Sequence, residues 1–129
     1  MQTKKDKNNI IKKISFEDKI KGVSPNIKQI LLFLISENVI NQNKVRLIGD
    51  LENNIKQEIE ESIKEKYENL NEKFSELRKS GKDLGVLNFK LVMIPLKIKV
   101  FLSTYEKKDI ENILRRMQEI EKEINHIKI

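Results

Sequence analysis

Residues 83–102 read DLGVLNFKLVMIPLKIKVFL, and this segment fits two different folds. As a helix, it carries an apolar stripe whose members are three or four residues apart. The members of that stripe are Leu84, Leu87, Leu91, Ile94, Ile98, Phe101 and Tyr105. A second stripe, on a different face, consists of Phe89, Met93, Leu96 and Val100. A helix with two apolar stripes is typical of the middle of a bundle, where it contacts neighbours on both sides.

The alternative is a β-hairpin at about 86–102, because residues 87–91 and 96–100 alternate between apolar and polar side chains. Such a hairpin would turn near Pro95, but no glycine lies there and no other segment offers a strand to complete a sheet. An isolated hairpin is only marginally stable in water. Pro95 also counts against the helix, since it removes one hydrogen bond and crowds Leu91, so we expect a kink or a break there. We favour the helix and keep an α+β fold with this hairpin as the alternative.

Two segments on either side of residues 83–102 each carry a single apolar stripe. The stripe of residues 50–80 predicts one long helix of about 30 residues, which Ser80-Gly81 ends. It consists of Leu51, Ile55, Ile59, Ile63, Tyr67, Leu70, Phe74 and Leu77. The stripe of residues 105–127 predicts a second helix, with a capping-box candidate at 103–106. It consists of Ile110, Ile113, Met117, Ile120, Ile124 and Ile127.

The remaining segments complete an all-α prediction. Ser24-Pro25 is a favourable start for a largely apolar helix over 25–40, and a short helix is expected from Ser15 to Gly22. We therefore predict a small antiparallel helical bundle, formed by a single domain of residues 15–129. Residues 1–14 contain five lysines and one aspartate, and we predict that they are a disordered or loosely ordered basic tail.

The composition of the chain explains its basic character without invoking a function. Its 129 residues include 22 Lys, 20 Ile and 13 Asn but no Ala, and the formal net charge is +6. Lys, Ile and Asn have AT-rich codons, so we interpret this pattern as the product of an AT-rich genome. Net charge is informative about solubility and non-specific partners, and it does not identify a function by itself.

The side chains that most enzymes and metal sites need are scarce. Cysteine is absent, which excludes disulfides, zinc–cysteine sites, thiol nucleophiles and thiolate-ligated iron–sulfur clusters. The single histidine, His126, has no recognisable nucleophile to activate. We therefore predict a protein that is not an enzyme, with no catalytic, cofactor-binding or metal-binding residues. An acidic stripe is interpreted as a solvated face with pairs such as Glu60–Lys64, and it consists of Glu58, Glu61, Glu65, Glu68, Glu72 and Glu76.

The second apolar stripe of residues 83–102 leads to the functional prediction. If the other helices leave it uncovered, the surplus apolar surface is an interface. We predict a helical protein–protein interaction or scaffold module that binds another protein or itself, with coiled-coil pairing as one mode. The predicted partner interface consists of Phe89, Met93, Leu96 and Val100.

The alternative is a small basic nucleic-acid-associated protein. Lysines neutralise phosphates without reading sequence, so such binding would be salt-dependent and non-specific. The candidate phosphate contacts are Lys4, Lys5, Lys7, Lys12, Lys13, Lys82, Lys90, Lys97 and Lys99. The longest apolar run, residues 30–35, is far shorter than a membrane span, and no secretory signal is evident. We therefore expect a cytoplasmic protein, and a membrane partner is not expected.

Overall fold

The computed structural model of the chain describes residues 15–127, and this range contains helices and no strand. The helices are α1 (Phe16–Lys19), α2 (Pro25–Ser36), α3 (Leu51–Arg78), α4 (Gly85–Thr104) and α5 (Lys107–Ile127), and a 3-10 turn (Gln42–Lys44) lies between α2 and α3. The prediction of a small all-α bundle with one long helix is confirmed, and the β-hairpin alternative is wrong. The tail predicted for residues 1–14 lies outside the described residues.

Local capping interactions set several helix ends where the sequence places them. At the start of α1 the Ser15 hydroxyl accepts a hydrogen bond from the Asp18 N–H at 3.2 Å. At the start of α3 the Asp50 carboxylate accepts one from the Asn53 N–H, also at 3.2 Å. Both pairs satisfy backbone donors that the first helical turn leaves free. After α3, Gly81 adopts a φ of 81°, a left-handed conformation that glycine reaches without strain.

Ser24 occupies the N-cap position of α2, ahead of Pro25, but its side chain does not cap this helix. Its N–H and its hydroxyl both donate to the same oxygen of Glu52, at 2.8 and 2.5 Å. These two hydrogen bonds lower the pKa of the Glu52 carboxyl below its ordinary value, because they stabilise the charged form. The pair thus ties the start of α2 to the first turn of α3. α2 itself ends at Ser36, earlier than predicted.

Helix α4 continues through Pro95, so of the kink or break expected there, the break is wrong. Pro95 is exposed, and its ring therefore displaces no core side chain. Buried residues of α4 lie on both sides of the proline along the same face, so packing holds the helix together where one backbone hydrogen bond is missing. These residues are Leu87, Leu91, Ile94, Ile98 and Phe101.

Only Tyr105 and Glu106 connect α4 to α5. Tyr105 adopts a φ of 50°, and its N–H donates to the Phe101 carbonyl oxygen at the end of α4. The Tyr105 ring lies 5.2 Å from the Phe101 ring, centroid to centroid, and the Lys56 ammonium of α3 lies 5.2 Å from the Tyr105 centroid. These contacts hold a left-handed residue that is not glycine in a sharp turn. The capping box predicted at 103–106 is wrong, because its first two residues still belong to α4.

One core joins α2, α3, α4 and α5. Helices α3 and α5 contact each other and both contact α4, while α2 packs against α3 and α5. The pairs Lys90–Glu123 and Thr104–Asp109 show that α4 and α5 run antiparallel. In residues 15–127, α3 and α5 bury one apolar stripe of α4 and leave most of the second stripe exposed, so the expectation that both stripes pack against neighbours is wrong. Within the same range, no helix has the length and apolar content that crossing a membrane requires.

Candidate protein-interaction surface

The face of α4 that points away from the core is apolar and exposed. Of the four residues predicted as an interface, Phe89, Leu96 and Val100 are 67%, 57% and 56% exposed, and Met93 is partly buried. The structure adds Val86 and Val92, which are 73% and 56% exposed. We call this set the outer face of α4: Val86, Phe89, Val92, Met93, Leu96 and Val100.

The sequence contains signals for the two residues that the predicted interface lacked. Val86 lies three residues before Phe89 and extends the spacing of the stripe by one helical turn. Val92 lies three residues after Phe89 and four before Leu96, so it borders the stripe on the helix surface. Counting outward from the predicted stripe would have found both. The resulting series from Val86 to Val100 has the three-four spacing of a coiled-coil seam.

The outer face continues into two grooves whose second wall is α5. Near the α4–α5 turn, a groove of about 270 Å³ lies between Met93, Leu96 and Val100 on one side and Asp109 and Ile113 on the other. At the opposite end of α4, a groove of about 580 Å³ is lined by residues that include Val86, Phe89, Glu123 and Ile127. The outer face is therefore flanked by two separate grooves along α5, one near each end of α4.

An ion pair lies beside the second of these grooves. The Lys90 ammonium of α4 lies 2.7 Å from a carboxylate oxygen of Glu123 of α5. Both side chains are about two-fifths exposed, so the pair contributes at most about 1 kcal/mol to stability. Its larger consequence is that neither charge is left without a counter-charge. Lys82 is engaged as well, since its ammonium donates to the Ile127 carbonyl oxygen at 3.0 Å.

Two lysines of α4 border the outer face without an ion-pair partner among the described residues. Lys97 is partly buried and lines the groove next to Met93 and Leu96. Lys99 is exposed, and the helical spacing places it on the other edge of the outer face, beside Val92 and Leu96. Helix α4 contains no acidic residue at all. The apolar surface therefore has a lysine on each edge, and Asp109 of α5 lies in the groove beside Lys97.

The lysines predicted for the nucleic-acid alternative are not gathered into one patch in the described part of the chain. Lys90 and Lys97 share the edge of α4 next to α5, while Lys99 lies on the other edge. Lys4, Lys5, Lys7, Lys12 and Lys13 lie outside the described residues.

The acidic stripe of α3 has the character of a solvated face. Most of its glutamates are exposed, and Glu60 pairs with Lys64 at 3.0 Å, as predicted. Glu58 accepts a hydrogen bond from the Ser62 hydroxyl one turn later, at 3.3 Å. His126 is exposed near the end of α5. From Ser15 to Ile127, no group of three or more His, Asp or Glu side chains is placed to hold a metal ion.

Comparisons of this chain with models of protein families, with curated proteins and with solved structures found no match. Functional interpretation therefore depends on the geometry of the molecule. Its most distinctive surface feature is the outer face of α4, because the other large apolar side chain that is highly exposed in the described range, Ile48, stands alone in a loop.

Proposed function

We propose that this protein is a non-enzymatic helical interaction module that binds a protein partner through the outer face of α4. The observation that carries this proposal is the grouping of five highly exposed apolar side chains on one face of one helix. Single exposed apolar residues are normal on protein surfaces, but contiguous apolar patches are typical of interfaces. We also propose the cytoplasm as its location, on the basis of the sequence alone.

The opposite face of α4 supports this role. Ile94 and Phe101 are fully buried there, and Leu91 is nearly so, which fixes the helix in the bundle. The outer face is thus held ready on a rigid element, and a partner need not order it on binding. Burying a large apolar side chain contributes about 1.5–3 kcal/mol when the side chain starts fully exposed. Several such side chains together are sufficient to offset much of the entropic cost of association.

The experiment compares matched variants of the full chain in affinity capture from the native host. Leu96→Asp places a charge in the centre of the outer face, and Ile48→Asp places the same charge on an exposed apolar residue outside it. We expect the unaltered protein and Ile48→Asp to retain the same partner and Leu96→Asp to lose it. Circular dichroism of each variant checks that the helices remain.

Two outcomes would contradict the proposal. One is that Leu96→Asp retains every partner of the unaltered protein. The other is that no protein is retained specifically while light scattering shows a monomer at all concentrations. A dimer that Leu96→Asp dissociates would support the proposal, with a second copy as the partner.

Nucleic-acid binding is the second candidate, and it has less support from charge placement. Among the central lysines proposed for it, Lys97 and Lys99 lack a counter-charge in the described range, whereas Lys90 has one. This candidate predicts that duplex DNA or RNA binds at low salt and that the affinity falls steeply as the salt concentration rises. Lys97→Gln with Lys99→Gln should reduce that salt dependence. The absence of any mobility shift at low salt would contradict it.

A further inference from the structure

We infer that the partner of the outer face is an amphipathic helix whose apolar stripe is bordered by acidic residues. This inference rests on the proposed function and specifies the chemistry of its partner. The three-four spacing from Val86 to Val100 is the spacing with which two helices interlock side chains. Apolar side chains of the outer face run from Val86 near one end of α4 to Val100 near the other, so the surface suits an elongated helix rather than a small molecule.

The two lysines that border the outer face favour a partner helix of a particular charge. Lys97 and Lys99 lie on opposite edges of the outer face, and neither has an ion-pair partner within residues 15–127. A helix lying along the outer face would present its own flanking residues to these two ammonium groups. Acidic flanks would attract both lysines, and basic flanks would repel both, so the two edges act together in selecting a partner.

Two acidic side chains of the α5 wall are already in contact with α4. Glu123 is paired with Lys90 at 2.7 Å, and Asp109 accepts a hydrogen bond from the Thr104 hydroxyl at 3.2 Å. Each of these carboxylates is thus engaged by a residue of α4. Lys97 and Lys99 are the lysines of α4 that have no ion-pair partner within the described range, and Asp109 shares the groove with Lys97.

A second copy of this chain fits less well. Outside α4, no other helix in residues 15–127 exposes a stripe of large apolar side chains, so self-association through this surface requires α4 to pair with α4. In an antiparallel pair, the edge that carries Lys90 and Lys97 would face the same edge of the other copy. A parallel pair also lacks acidic residues on α4 to place against Lys97 or Lys99. The apolar stripes would match, but the charged borders would not.

The test uses two synthetic helical peptides of three heptads with identical leucine and isoleucine stripes. One peptide carries glutamate at the flanking positions and the other carries lysine, and both are used at concentrations where sedimentation shows monomers. Binding to the full chain is measured by fluorescence anisotropy at low and physiological salt. We expect the glutamate peptide to bind about tenfold more tightly at low salt, with a smaller difference at physiological salt.

Charge-reversal variants make the test specific. Lys97→Glu with Lys99→Glu should invert the preference, so that the lysine peptide binds more tightly. The control, Lys21→Glu with Lys44→Glu, changes the net charge equally at two exposed positions outside α4 and should keep the original preference. Leu96→Asp should weaken the binding of both peptides.

The outcomes separate this inference from the proposed function. Equal binding of both peptides, unchanged by the charge reversal but lost in Leu96→Asp, would overturn the acidic partner and leave the apolar interface standing. A dimer that Leu96→Asp dissociates would overturn it in favour of a second copy. If neither peptide binds and the protein remains a monomer, both the inference and the proposed function fail.

Discussion

The two apolar faces of α4 have similar side chains and opposite environments. The inner face, Leu87, Leu91, Ile94, Ile98 and Phe101, is buried against α3 and α5, while most of the outer face is exposed. The difference comes from the neighbouring helices. α3 and α5 each have one apolar stripe, and those stripes contact each other as well as α4, so none is left for the outer face. An apolar face predicts burial only when the chain holds a second face to cover it.

The largest expected change in the free energy of unfolding comes from a substitution on the inner face. Ile94→Ala removes a fully buried side chain and leaves a cavity, which should lower the free energy of unfolding by about 2–5 kcal/mol. Urea denaturation followed by circular dichroism measures the change. A loss below about 0.5 kcal/mol would show that the inner face is not the structural face of α4.

Pro95→Ala tests how the inner face holds α4 together. Alanine restores an N–H for the Leu91 carbonyl oxygen and removes the ring from an exposed position. We expect a gain of about 1–3 kcal/mol in the free energy of unfolding, since proline is disfavoured inside helices. Thermal denaturation measures it, with Asn88→Ala as a control at another exposed position of α4. Destabilisation by Pro95→Ala would contradict the view that packing alone compensates for the proline.

The pH dependence of stability is expected to come from a contact outside α4, between Ser24 and Glu52. The hydrogen bonds from Ser24 lower the pKa of the Glu52 carboxyl below its ordinary value in the folded chain, so the folded state binds a proton on Glu52 less readily than the unfolded state does. The stabilisation is therefore present above the unfolded pKa and is lost as the pH falls through the folded pKa. We expect Glu52→Gln to flatten the fall of the urea midpoint as the pH is lowered through and below the ordinary carboxyl range.

The control for this prediction is a variant of the outer face. Leu96→Ser should follow the pH profile of the unaltered protein, because Leu96 contacts neither Ser24 nor Glu52 in the hydrogen-bonded link between α2 and α3. Identical profiles for Glu52→Gln and the unaltered protein would show that the Ser24–Glu52 pair does not contribute to stability.

The smallest expected change in the free energy of unfolding comes from a substitution on the outer face. Leu96→Ser should change the free energy of unfolding by no more than about 0.5 kcal/mol, since the side chain is mostly exposed. The same variant should lose the binding of a partner that Ile48→Ser retains. A loss of stability close to that of Ile94→Ala would mean that the chain itself covers the outer face.

Local patterns in the sequence predict most of the fold. The stripe of α3 and its end at Gly81 are visible without any tertiary information, because helical spacing and glycine at the end are properties of neighbouring residues. The choice of helix over hairpin for α4 follows from the same spacing. The continuity of α4 through Pro95 could not be predicted in this way, because it depends on packing against other helices.

Contacts between distant residues account for the rest. Ser24 has the sequence of an ordinary N-cap residue, and only the folded chain brings it to Glu52, 28 positions away. Tyr105 ends α4 in a conformation that sequence rules assign to glycine, because Phe101 and Lys56 hold its ring. The candidate interface was found through its spacing. Its exposure could not be predicted, since it depends on how many faces the remaining helices can cover.

Thiol accessibility tests the difference between the two faces most directly, because the chain has no cysteine of its own. Leu96→Cys and Ile94→Cys are compared at low protein concentration, using the rate at which each thiol reacts with a soluble reagent under native conditions and in urea. We expect the thiol at position 96 to react at the same rate in both conditions and the thiol at position 94 to react only when the protein unfolds. Equal native-state protection of the two thiols in a monomer would contradict the assignment of a free outer face to α4.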